Sequence, residues 1–199
     1  MHQYSSPNSL SKYFFLALSA LSVLCAWLLH IVVQGFKLNT LWWIEFPSVL
    51  AFFGIFWRWF DRIGWQLTWL RRLFQIRIPI LWGNWIVRAE TEFENQTLLV
   101  EASAVIKQSW SRLSIVIEWE NSKSSSVAAS LHQLSLGEYE LIYQYLNTPK
   151  PLAPQSMNIH RGTAWLALSA DGSTLQGEYF SGRGRNRFGQ ITFTRKQDG

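Results

Sequence analysis

The chain has 199 residues, with 18 Lys or Arg against 13 Asp or Glu and a formal net charge of +5. Up to residue 75 six basic residues face two acidic ones (+4), whereas the remainder carries twelve against eleven (+1), so the balance does not describe a broadly basic surface and no DNA or RNA binding is expected. A single cysteine, Cys25, excludes a disulfide framework within one chain and a CxxC metal site.

Residues 1–12 form a polar tail. From Tyr13 to Phe36 there is no Asp, Glu, Lys or Arg, and from Leu38 to Trp57 there is only Glu45. A helix of about 20 apolar residues crosses a bilayer core, so 13–60 is expected to hold two transmembrane helices. They are placed at Lys12–Gln34 and Leu41–Phe60, with a short turn between and Pro47 tolerable in the second. The first run is too long for a signal peptide, and Leu24 before Cys25 argues against a lipoprotein cleavage site. Arg58, Arg62, Arg71, Arg72 and Arg77 follow the second run, so both termini are expected on the cytosolic side of the membrane. Trp42 and Trp43, with Trp57 and Trp59, suit the two interfaces. Ser19, Ser22, Ala26 and His30 share one face of the first helix, where small and polar residues favour helix–helix association. That face suits either self-association between chains or packing on the second helix of the same chain.

Residues 61–76 form a basic linker in which Ile63, Leu67, Leu70 and Phe74 recur at helical spacing. They read as an interfacial helix or as a continuation of the second span. From 77 to 199 the texture is β. Tyr139, Leu141, Tyr143 and Tyr145 alternate with Glu140, Ile142 and Gln144, and Leu113, Ile115, Ile117 and Trp119 alternate likewise. Eight strands are predicted, at 79–90, 97–107, 111–120, 124–134, 138–146, 157–169, 173–182 and 188–196. With no helix between them, they point to a closed antiparallel, lipocalin-like barrel able to hold one small ligand. The fold class is thus a two-helix transmembrane hairpin followed by an all-β barrel forming a cytosolic ligand-binding domain.

Catalysis finds little support, because no HExxH, GxSxG or glycine-rich phosphate loop occurs. No enzyme, metal or cofactor is expected. Glu90, Glu92 and Glu94 read as a solvated strand end, and the run Ser122, Ser124, Ser125 and Ser126 as a loop with a weak polar contact set. Arg183, Arg185 and Arg187 fall at a hairpin between the last two strands, where guanidinium forks suit phosphates; the plainer reading is a solvated turn. Tyr143, Tyr145 and Tyr179 can stack on a base or serve only as core, and His160 reads first as structural.

Several stretches carry a resemblance. They are Ile78-Pro79-Ile80-Leu81-Trp82-Gly83-Asn84-Trp85, Tyr143-x-Tyr145-x-Asn147-x-Pro149, His160-Arg161-Gly162-Thr163-Ala164, and Gly177-x-Tyr179-Phe180-x-x-Arg183 with Gly189 beyond. Together with two N-terminal spans, the chain resembles the two-transmembrane, β-strand-rich effectors of bacterial cyclic-oligonucleotide anti-phage signalling (CBASS). Gly83-x-Trp85 also resembles the lipocalin pattern in which a tryptophan closes one barrel end. The resemblance implies a barrel that binds a cyclic di- or oligonucleotide, homo-oligomerisation on activation, and disruption of the lipid bilayer that kills the infected cell. By chemistry, the arginines would meet phosphates and the tyrosines bases, with His160 and Asn147 as readers of base edges. The alternative is a membrane-anchored carrier or scaffold for an apolar ligand or a protein partner.

Overall fold

The computed structural model describes residues 2–3, 12–35, 42–93, 96–134, 137–154, 157–182 and 188–196. The chain divides into two compact units, Asn8–Arg77 and Met1–Pro7 with Ile78–Gly199.

The first unit is helical. α1 spans Lys12–Gly35 and α2 spans Trp42–Arg62, each within two residues of the expected bounds. Phe14, near the start of α1, meets Phe60, near the end of α2, with ring centroids 4.3 Å apart, so the helices run antiparallel. Phe14, Leu18, Ser22 and Ala26 are the buried residues of α1, spaced four apart along one stripe. Among the described residues, α1 is the one helix long and apolar enough to cross a membrane. The expectation of two such spans is met only for α1; α2 is the less apolar helix, with Glu45, Arg58, Asp61 and Arg62 along its length.

After α2 the chain neither continues as a helix nor forms one long interfacial helix. A 3-10 turn at Gly64–Gln66 leads through Leu67, which is extended (φ −66, ψ 126), into the short α3, Thr68–Leu73. That break splits the predicted apolar stripe: Leu70 is buried, but Ile63 is 56% exposed.

The second unit is an antiparallel barrel. Its strands are β2 (Gly83–Phe93), β3 (Gln96–Gln108), β4 (Arg112–Glu118), β5 (Ser122–Gln133), β6 (Tyr139–Pro149), β7 (His160–Leu168), β8 (Thr174–Ser181) and β9 (Phe188–Arg195). The order β4-β3-β2-β9-β8-β7-β6-β5 closes through a β4–β5 pairing at Val116↔Ser125 to Glu118↔Lys123. Closure leaves these eight strands without a free edge along the ring. The predicted polar tail contributes β1 (His2–Gln3), which pairs with β4 at Leu113 and Arg112, outside the stretch that β5 occupies.

Period-two patterning fills the barrel. Leu113, Ile115 and Ile117 of β4, Leu141 and Tyr143 of β6, Ala164 and Leu166 of β7, and Ile191 and Phe193 of β9 are all buried. The eight predicted strands are present with shifted ends, and the largest shift is informative. The first was expected from residue 79 but starts at Gly83, because the Gln108 side chain satisfies the preceding backbone in place of a strand. It accepts from Leu81 N–H at 2.6 Å and donates to Pro79 O at 3.1 Å. A second correction concerns Ser122, Ser124, Ser125 and Ser126: their loop reading fails, and the strand predicted from 124 instead begins at Ser122 and holds all four. Ser126 Oγ accepts from Ile115 N–H at 2.8 Å beside a register shift between Ser126 and Ala128.

Candidate functional site

The two barrel ends differ in filling. At one, Ile78 and Leu81 are fully buried and Trp85 is 1% exposed. Trp85 Nε1 donates to Leu81 O at 3.0 Å, and the Arg195 guanidinium lies 4.6 Å from the Trp85 ring centroid. Arg195 also donates to Ile80 O (2.6 Å) and Trp82 O (3.1 Å), and its partial burial lowers its pKa. The tryptophan of the Gly83-x-Trp85 pattern therefore plugs this end.

Toward the other end the barrel holds a cavity of about 390 Å³. Its wall is built on β6, where Tyr143, Tyr145 and Asn147 occupy successive inward positions and are 2%, 8% and 7% exposed. The registers Asn147↔His160 and Tyr145↔Gly162 bring β7 alongside, and Tyr179 on β8 pairs with Gly189 of β9. Two glycines of the quoted motifs make room for the aromatic wall. A Cβ on Gly162 would run into the Tyr145 phenol end, and one on Gly189 would meet Glu90 O and the Tyr179 ring.

Five residues singled out from the sequence, Tyr143, Tyr145, Asn147, His160 and Tyr179, thus line one cavity. The tyrosine rings of 143 and 145 lie 6.0 Å apart. Burial, then the neighbouring Tyr145, pushes the Tyr143 phenol well above its ordinary range, so its hydroxyl stays protonated. His160 Nδ1 faces Asn158 O at 3.1 Å and donates to it. Arg183, Arg185 and Arg187 lie outside the described residues; Ser181, which lines the cavity, is the last residue of β8. Glu90, read as solvated, is exposed, and Glu94 lies outside the described residues. On α1, Ser22 and Ala26 are buried, Ser19 is exposed and His30 is half-buried. Ser22 Oγ donates to Leu18 O at 2.7 Å, so its hydroxyl is taken up within its own helix.

Sequence reasoning assigned no site role to Trp119, and gave Ser122 and Ser124 only a weak one. Trp119 Nε1 donates to Ser124 Oγ at 3.1 Å, and Asn147 Nδ2 donates to Ser122 Oγ (3.1 Å) and Ser124 Oγ (2.8 Å). All three line the cavity. The available signal was periodicity: Trp119 ends the inward series Leu113, Ile115 and Ile117, and Ser122 and Ser124 are themselves two apart. Lys150 steadies this hairpin through its backbone N–H to Asn121 O (2.9 Å) and its Nζ to Trp119 O (2.5 Å).

A closed eight-stranded barrel with one plugged end and an aromatic, partly polar cavity toward the other defines a small-ligand receptor of lipocalin-like build. The family of the Cap15 cyclic dinucleotide receptor domain matches residues 76–195. The chain is also similar to CD-NTase-associated protein 15 of Yersinia aleksiciae, at 32% identity over 185 residues covering 91% of this chain and 82% of the relative. The chain belongs to the Cap15 cyclic dinucleotide receptor family, which is that of the CBASS effectors its sequence resembles.

Proposed function

We propose that the barrel cavity binds a cyclic di- or oligonucleotide second messenger and that the helical unit converts binding into damage to the bacterial inner membrane. The observation that carries this reading is the convergence of Tyr143, Tyr145, Asn147, His160 and Tyr179 on one cavity in a chain of this family. The tyrosines stack on bases, Asn147 and His160 contact base edges, and Arg183, Arg185 and Arg187, between Ser181 and Phe188, neutralise phosphates.

The helical half of the proposal rests on the apolarity of α1. Both α1 and α2 would be membrane-embedded, with the termini and the barrel cytosolic. A messenger shifts an equilibrium only through differential affinity, so binding favours the arrangement in which helix pairs of neighbouring chains associate. Ser19 is exposed along α1 for such a contact, and His30 is half-buried. Oligomerisation then breaches the bilayer and kills the infected cell. The protein acts as a receptor and effector, not as an enzyme.

The test is calorimetry of the full chain in detergent micelles against a panel of cyclic di- and trinucleotides. Binding of one or more is expected, and binding of none would sink the reading. Dye release from proteoliposomes on addition of the bound nucleotide tests the second half; a Ser19→Leu chain is expected to bind equally but leak less.

A further inference from the structure

Asn147 presents a group that no described residue answers. Its two amide hydrogens are both used, on Ser122 Oγ and Ser124 Oγ. Ser124 Oγ also accepts from the indole N–H of Trp119, a hydroxyl oxygen having room for two such donors. These contacts turn the amide nitrogen toward β5. The carbonyl oxygen, Oδ1, is buried and has no hydrogen-bond partner among the described residues, although the side chain lines the cavity. A buried unsatisfied acceptor costs about 1–3 kcal/mol, and a ligand that donates to it removes that cost.

Resting on the reading of the cavity as a nucleotide site, we infer that Asn147 Oδ1 selects a nucleobase whose amine stands at the purine 6- or pyrimidine 4-position, adenine or cytosine, at this position of the messenger. An unconstrained asparagine pairs with adenine through both ends of its amide. Here the nitrogen is occupied, so only an acceptor faces the ligand. An amine N–H placed against Oδ1 satisfies it. Guanine or uracil presents a carbonyl at that ring position, which sets two acceptors against each other in the same pose, and its neighbouring ring N–H meets Oδ1 only if the base shifts along the cavity. Ser122 and Ser124 are positioning residues: without them the amide turns freely and offers N–H to a carbonyl equally well.

The experiment titrates the full chain in detergent micelles with cyclic di-AMP and with cyclic di-IMP, whose hypoxanthine carries a carbonyl where adenine carries the amine. The wild-type chain is expected to prefer cyclic di-AMP by about tenfold or more, the equivalent of one buried hydrogen bond. The preference is expected to fall below about threefold in the Ser122→Ala/Ser124→Ala chain and in Asn147→Leu, each checked for fold by circular dichroism. Equal affinity in the wild type overturns the inference, as does a preference that survives in both variants. Failure to bind cyclic di-AMP while another cyclic dinucleotide binds overturns it too, yet leaves the cavity reading standing. Failure to bind any cyclic nucleotide removes both.

Discussion

The two ends of the barrel use similar side chains to opposite effect. At the plugged end, Trp85, Arg195 and Gln108 spend their polar groups on the backbone of 79–82, so the donors there meet carbonyls and the carbonyls meet donors. At the cavity end, Trp119, Ser122, Ser124 and Asn147 form a connected set in which Asn147 Oδ1 has no partner among the described residues. Burying polar groups is stabilising only when they are satisfied. A network closed on the backbone reads as architecture, and one that leaves an acceptor open among the described residues suits the ligand proposed above.

That contrast can be broken most directly at the plug. Trp85→Ala should cost about 3–5 kcal/mol of barrel stability, as large-to-small changes of buried tryptophan do; the measurement is denaturant unfolding followed by circular dichroism. A loss below about 1 kcal/mol would show that the plug is not structural. At the cavity end, Gly162→Val should cost about 1–3 kcal/mol of stability from overpacking against the Tyr145 phenol and the Phe180 carbonyl. Its larger signature should be cyclic dinucleotide affinity, weakened at least about tenfold by displacement of the phenol. Unaltered affinity in a folded Gly162→Val chain would separate Tyr145 from the binding wall.

Arg195→Lys sharpens the comparison with a smaller effect. A point ammonium cannot reach Ile80 O and Trp82 O together as the planar fork does, so about 1–2 kcal/mol of stability should be lost while nucleotide affinity is unchanged. The smallest effect should come from the β7–β8 turn, where Ser169 Oγ, Ser173 Oγ and the Ser173 N–H donate to the exposed Asp171 carboxylate. Those bonds, the Ser169 hydroxyl first, hold its pKa at about 2, below the ordinary 3.8. A depressed carboxylate contributes stability above its unfolded pKa, and that contribution disappears as pH falls through the folded value. The urea midpoint of the wild type should therefore exceed that of Asp171→Asn slightly at neutral pH, with the gap closing between about pH 4 and pH 2. A gap that persists at pH 2 would mean that the carboxylate charge is not what ties this turn.

Much of the barrel was legible because β-strands advertise themselves through period two. Tyr139 to Asn147 alternate inward and outward in the chain as they do in the fold, which is why three consecutive inward residues of β6 could be named as candidates. The segment 79–82 was misread because its apolar residues also suit a strand; a side chain 27 residues away from Leu81, Gln108, takes up its backbone instead. The Ser122–Ser126 run was misread for a related reason. Serine favours loops when alone, but in β5 its hydroxyls serve Asn147, Trp119 and Ile115. The break at Leu67 escaped notice because a stripe of apolar residues does not report a single extended backbone angle.

By itself the sequence determined the split between an apolar helical region and a barrel of eight strands, and which tyrosines would face inward, since both follow from local hydrophobic periodicity. It also carried the family, through stretches spread along the chain. Only the tertiary structure decided which end is plugged, that Gly162 and Gly189 seat Tyr145 and Tyr179, and that Asn147 is locked with one acceptor left over. Those outcomes depend on register between strands far apart in the chain, and a shift of one residue would turn each of these side chains to the opposite face.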